Sequence, residues 1–292
     1  MRTTRRPARH VRPAILAVIA LALSACSSAV PPAALRPSPA APSSVAPSSV
    51  ATSSVAPAAL TIFAAASLKK AFTDVRTAYE TSHPGVTLTI AFDASSALET
   101  QIEQGAPADV LAAADTKNPQ KLIDDGFAMG PVTDFATNTL TVIVPNGDPA
   151  GIASPVDLGR SAVKVVAAGP DVPITRYADQ LLDNLGREAG YPLDFATRVK
   201  ANIVSREDNV AAVVSKIELG EGDAAIVYVS DARSSTRVTS VAVPASANVP
   251  ATYGTVPVTA SKHPEAAAAF IRWLTEPDGQ AILARYGFGP PS

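Results

Sequence analysis

One cysteine in 292 residues leaves no partner for a disulfide and no set of thiolates for a zinc site. Three histidines, His10, His83 and His263, are too scattered for a histidine metal cluster. Aromatics make up only 5% and charged residues 17%, so a core must be assembled from Ala, Val, Leu and Ile. No basic stripe marks the chain for nucleic acid. No Gly-x-x-x-x-Gly-Lys loop is present to cradle nucleotide phosphates, so any ATP hydrolysis would fall to a partner. No metal or organic cofactor is expected. The length fits one large or two medium domains.

Acids are also missing from the first 59 residues, and that absence divides the chain. Arg2, Arg5, Arg6, Arg9 and Arg12 open it, and Arg36 is the sole charge in 26–59. Residues 60–292 hold all 26 acidic residues against 18 basic ones, a net −8 behind the overall −2. A basic start and an apolar run over 13–23, ending in Leu23-Ser-Ala-Cys26, have the form of a secretory signal over 1–25. The run is shorter than the ~20 residues of a membrane span. Leu-Ser-Ala-Cys resembles a bacterial lipobox. On that reading Cys26 is lipidated and holds the protein on the outer face of a membrane; a plain signal peptide with an incidental cysteine is the alternative. Residues 26–59 are Ala, Ser, Pro and Val with a five-residue repeat, beginning Ala41-Pro-Ser-Ser-Val45. Such a segment buries too little to fold and reads as a tether with a reach of roughly 30 Å.

From residue 60, β-rich runs alternate with amphipathic helical runs. Strands are expected at 60–64, 86–92, 109–113, 139–144, 163–168 and 224–228. Helices are expected at 68–80, 96–105, 173–185, 208–219, 264–274 and 277–286. Leu68, Ala71, Phe72, Val75 and Tyr79 share one helical face. Ser96-Ala-Leu-Glu99 has the form of a capping box, and Gly220 stops the 208–219 helix. The alternation argues for an α/β architecture with mainly parallel sheets. Ligands of such sheets sit beyond the strands' carboxyl ends, where helix starts present free N–H groups.

Four strand-to-helix junctions therefore matter: Ala64-Ala-Ala-Ser67, Asp93-Ala-Ser-Ser96, Gly169-Pro-Asp-Val-Pro-Ile174 and Arg206-Glu-Asp-Asn-Val210. Each offers hydroxyls or backbone donors, and none has an evident outward cation in its first turn unless Lys70 or Arg176 serves. A single junction serine is ordinarily just a cap. Several neutral, donor-rich junctions in one acidic chain suit an oxyanion, because hydrogen bonds to charged groups contribute about 1.5–3 kcal/mol each.

Thr61-Ile-Phe-Ala-Ala-Ala-Ser-Leu68, Ser95-Ser96 with Gln101-Ile-Glu-Gln-Gly-Ala-Pro-Ala-Asp109, Ile226-Val-Tyr-Val-Ser-Asp231 and Arg285-Tyr-Gly-Phe288 resemble the molybdate-binding proteins of ABC importers. The resemblance spans about 60–288. It implies a two-lobed periplasmic-binding-protein fold of type II, each lobe a mixed, mainly parallel sheet flanked by helices. Lobe one would be 60–142 plus 249–292, lobe two 143–248, with hinges near 141–144 and 247–253. It also implies an anion site in which Ser67 and Ser95 supply hydroxyl and backbone donors, Ile174 and Val210 backbone N–H groups, and Tyr228 its phenol. The function implied is capture of molybdate, and of tungstate, for a membrane permease, by a lipid-anchored extracytoplasmic monomer that is not an enzyme.

Two departures from the family pattern stand out. The third junction reads Val172-Pro-Ile-Thr175 where the family commonly has Val-Pro-Ala-Gly, so Ile174 would narrow the pocket and Thr175 would add a hydroxyl. Asp93, two residues from Ser95, would repel an anion if it faced inward; it is expected to face solvent or cap the helix. Rival readings are another oxyanion, sulfate or phosphate, and an acyl-serine enzyme built on Ser67-Leu-Lys-Lys70. The second lacks the Ser-Asp-Asn and Lys-Thr-Gly elements such enzymes need: Ser230-Asp231-Ala232 is the nearest match. His83 and His263 each precede a proline, at positions that suit surface residues better than a catalytic triad.

Overall fold

The computed structural model describes residues 57–291. The expected signal segment, the Cys26 lipidation site and nearly all of the tether lie outside the described residues. Among the described residues, no helix is long and apolar enough to cross a membrane.

Two five-stranded sheets organise the described residues. The first contains β1 (Ala58–Ala65), β2 (Val86–Asp93), β3 (Val110–Ala113), β4 (Thr133–Asn138) and β10 (Ala251–Pro257), in the order β2-β1-β3-β10-β4. The second contains β5 (Leu140–Pro145), β6 (Val165–Ala168), β7 (Ile203–Glu207), β8 (Ala224–Tyr228) and β9 (Val238–Val241), in the order β7-β6-β8-β5-β9. Each sheet has a parallel trio on one side, β2-β1-β3 or β7-β6-β8. An antiparallel strand, β10 or β5, joins that trio to the other edge. The two lobes thus repeat one strand plan, the mixed mainly parallel plan expected.

Period-two side-chain alternation puts helices on both faces of the first sheet. Leu60, Ile62 and Ala64 of β1 and Val110 and Ala112 of β3 join the apolar cluster of α1 (Lys69–Ser82) and α8 (Pro264–Thr275). Their neighbours Phe63, Leu111 and Ala113 join the cluster of α2 (Ser95–Glu103) and α3 (Lys117–Asp124). Few aromatics are present, and several concentrate under α1: Phe72 meets Phe135 and Phe270 edge-on, and Tyr79 meets Phe270 and Trp273 the same way. In the second lobe α4 (Pro173–Leu185), α5 (Phe195–Ala201) and α6 (Val210–Glu218) cover the sheet, with Val210, Val213, Val214 and Ile217 of α6 inward. Gly220, at φ +74°, ends that helix in the left-handed conformation glycine adopts without strain. α7 (Val229–Arg233) follows β8 directly, and α9 (Pro277–Arg285) closes the chain.

Several boundaries differ from the sequence expectation. β1 begins at Ala58, two residues inside the span read as tether. The lobe boundary expected between 142 and 143 falls within β5, all of which pairs in the second sheet. The chain crosses at Thr139 and returns between β9 and β10. Ser67 is not an N-cap; it sits within a single 3₁₀ turn, Ala66–Leu68, ahead of α1. The Ser96–Glu99 capping box does not form, because α2 starts one residue earlier, with Ala94 as its N-cap. Glu99 is buried instead and takes an ion pair from Lys121 at 2.6 Å.

Candidate functional site

The carboxyl ends of the parallel strands face one another across the lobes, and their junctions meet around one cavity. Ser67 arrives from β1, Ser95 from β2, Ile174 from β6, Val210 from β7 and Tyr228 from β8. All five expected site residues line this cavity, together with Asp93 and Ala114. Its volume is about 10 Å³, the space of about one water-sized body, far too small for a sugar or peptide. A far larger cleft, about 830 Å³, shares Ala94, Val172 and Pro173 with it. Acids and bases both line that cleft: Glu99, Asp115, Asp171, Asp179 and Asp208 with Lys117, Lys121 and Arg176. The five expected site residues meet only in the smaller of these two cavities, which makes it the candidate site.

Each of those donors has a local cause. Ser95 Oγ accepts the Ala114 N–H at 2.9 Å, so its own proton is free to point elsewhere. Ser67 Oγ lies 2.9 Å from the Tyr253 hydroxyl. Tyr253 in turn lies 3.4 Å from Asn138 Nδ2, which also donates to Ser230 Oγ at 2.8 Å. Either hydroxyl can donate in that pair; when Tyr253 does, the Ser67 proton is left for the cavity. Ile174 and Val210 stand in the first turns of α4 and α6, where backbone N–H groups have no intrahelical acceptor. Tyr228 completes the set: its side chain is buried and its hydroxyl finds no hydrogen-bond partner among the described residues. Burial, with smaller contributions from the neighbouring Tyr253 and Tyr177, pushes the Tyr228 phenol well above the ordinary tyrosine range. It therefore remains a neutral donor at any physiological pH.

Among the described residues lining the cavity, Asp93 alone carries charge. It is half-buried, and its side chain does not cap α2. Its Oδ1 accepts the Ala94 N–H at 2.8 Å and, from lobe two, Asn209 Nδ2 at 3.0 Å. Thr175 does not add a hydroxyl to the cavity; Oγ1 donates back to the Gly169 carbonyl at 2.7 Å. Arg176 does not point at the cavity as a free cation, since its guanidinium meets Asp115 at 3.3 Å. Lys70 is exposed and Ser67 Oγ is engaged by Tyr253, so the Ser-x-x-Lys spacing does not yield the hydrogen-bonded nucleophile and base that acyl-serine chemistry needs.

Sequence reasoning missed the support behind these donors. Tyr253, Asn138 and Asn209 come from distant segments, and no spacing announces their meeting. Asp231 was visible only as part of a motif. It is buried, accepts the Tyr228 N–H at 3.2 Å through Oδ2, and is pushed up to about 7 by desolvation, against the lowering effect of that hydrogen bond.

The model of the bacterial extracellular solute-binding protein family matches residues 60–289. The molybdate-binding protein ModA of Mycobacterium tuberculosis is 37% identical over 234 residues, 80% of this chain and 85% of that protein. Among solved structures, the periplasmic molybdate-binding protein of Azotobacter vinelandii superposes with a TM-score of 0.68 at 23% identity, covering 80% of this chain and all of that one. The sulfate-binding protein SubI of M. tuberculosis superposes with a TM-score of 0.70 at 21% identity, covering 80% and 86%. At those identities the two structures speak for the fold alone.

Proposed function

Because the chain belongs to the bacterial extracellular solute-binding protein family, we propose that it captures molybdate, and tungstate with it, between its lobes and presents it to the permease of an ABC importer. The observation that carries this reading is the buried Tyr228 hydroxyl with no partner among the described residues, beside two serine hydroxyls and two helix-start amides. A buried donor left unpaired costs about 1–3 kcal/mol. An oxyanion removes that cost while meeting donors worth about 1.5–3 kcal/mol each, enough to offset a desolvation penalty of several kcal/mol. Ser67 and Ser95 would donate through their hydroxyls, Ile174 and Val210 through backbone N–H groups, and Tyr228 through its phenol. The extent of likeness to the M. tuberculosis ModA protein supports molybdate over other tetrahedral anions. The lobes, joined at Thr139 and between β9 and β10, would hinge closed over the anion. We further infer an extracytoplasmic monomer, anchored by lipid on Cys26 and carrying out no catalysis itself.

Titration calorimetry with molybdate, tungstate, sulfate and phosphate tests the reading. Molybdate and tungstate are expected to bind tightly, with little response to the other two. A sulfate or phosphate preference would reassign the cargo, and silence to all four would remove the function. Ser67→Ala and Tyr228→Phe should each weaken molybdate binding without unfolding the protein.

A further inference from the structure

Both lobe-two helices that aim amides at the cavity are tied to lobe one beside those amides. In α4, Ile174 lines the cavity, and two residues on Arg176 reaches across to Asp115 at 3.3 Å. In α6, Val210 lines the cavity, and its predecessor Asn209 reaches across to Asp93 at 3.0 Å. The acceptors are themselves fixed. Asp115 is buried just beyond β3, its Oδ1 taking the Asn118 backbone N–H at 3.1 Å and the Asn118 side-chain amide at 2.9 Å. Asp93 ends β2 and is held by the Ala94 N–H. Asn209 performs two tasks with one side chain: Oδ1 caps α6 through the Ala212 N–H at 3.1 Å, while Nδ2 spans the lobes. Arg176 also lies over the Tyr177 ring at 4.9 Å, and that ring meets Tyr228 edge-on at 6.3 Å. The span that ties α4 thus also backs the phenol of the site.

We propose that Asp115–Arg176 and Asp93–Asn209 are interlobe latches, positioning residues that hold the α4 and α6 amides over the cavity and set how long the anion stays. The proposal rests on the anion-binding reading above. It also accounts for a carboxylate at an anion site. The Asp93 charge is turned toward an amide donor of the opposite lobe, so closure uses it as a fastening.

The rival explanation for Arg176 is direct attraction of the anion, and the two predict opposite signs. Asp115→Asn removes the latch's negative partner and frees the guanidinium. A latch then lets the anion escape faster, whereas an attracting cation, no longer neutralised, holds it longer. Molybdate dissociation should be followed by stopped-flow chase in the full chain. Asp115→Asn, Arg176→Met and Asn209→Ser, the last keeping an N-cap hydroxyl, should each raise the dissociation rate about three- to tenfold, the range open to a half-exposed pair. Association rates should change less than about twofold, because most mutational effects within one interface appear in dissociation. The anion-free protein supplies an independent readout. Spin labels, one on each lobe, should report a smaller closed fraction in all three variants by double electron–electron resonance. Slower dissociation from Asp115→Asn, or unchanged dissociation and closed fraction in Arg176→Met and Asn209→Ser, would overturn the proposal. If the unmodified protein ignores molybdate, the function fails, while the label distances still decide whether the latches govern closure.

Discussion

On the proposed reading, Tyr228 is better suited to a bound anion than to the protein alone. Its hydroxyl is buried with no acceptor among the described residues, which leaves an unsatisfied donor. Tyr228→Phe should therefore leave the anion-free melting temperature unchanged or raise it, by an amount equivalent to at most about 1–3 kcal/mol, while weakening molybdate binding about tenfold or more. Scanning calorimetry with and without molybdate separates the two effects. Asp231, one turn further on, makes stability depend on pH. Unfolded, an aspartate ionises near ~3.9; here desolvation pushes it up to about 7. Between those values the unfolded chain loses its proton first. The contribution of Asp231 is thus full below pH ~4 and declines as pH climbs to about 7, where the folded group ionises. Asp231→Asn keeps an acceptor for the Tyr228 N–H. The difference in melting temperature between variant and parent should grow in the variant's favour from pH 4 to 7; a constant difference would remove Asp231 from the pH response.

At the scale of strands and helices, much was legible in the sequence because the signals are local. Apolar periodicity marks α1 and α6, proline at the first helical position marks α4, α8 and α9, and glycine marks the end of α6. Gly220→Ala should lower stability by about 1 kcal/mol or more, since a side chain at φ +74° is strained; chemical denaturation measures it. The five expected site residues share a cavity for the same kind of reason: each stands at a strand end, and strand ends of parallel sheets converge. Misreadings arose where a distant segment competed for a local group. Glu99 has the spacing of a capping-box acid, yet Lys121, 22 residues on, takes it. Thr175 looks available to a ligand until the Gly169 carbonyl claims it. Arg176 and Asn209 are ordinary helix-start residues in sequence, and only the apposition of two sheets gives them Asp115 and Asp93.

For the whole molecule, residues 60–292 carry a net −8 and would bind a dianion with neutral donors. Such a protein repels its cargo at long range, and added salt screens the repulsion. Molybdate association should therefore speed up as ionic strength rises, the reverse of an electrostatically steered encounter. Stopped-flow rates in increasing sodium chloride check this, and a falling rate would indicate an attractive approach path. The strand plan has a consequence for biogenesis. Lobe two is one continuous stretch, its five strands running from Leu140 to Val241. The first sheet is interrupted, because β10 lies between β3 and β4 in space yet comes after every strand of the other lobe. A polypeptide that emerges amino end first, as a threaded or secreted chain does, can complete its second sheet while the first still lacks an interior strand. The first sheet thus cannot be completed until Ala251–Pro257 arrives, and until then β3 has an exposed edge and β4 has no strand to pair with.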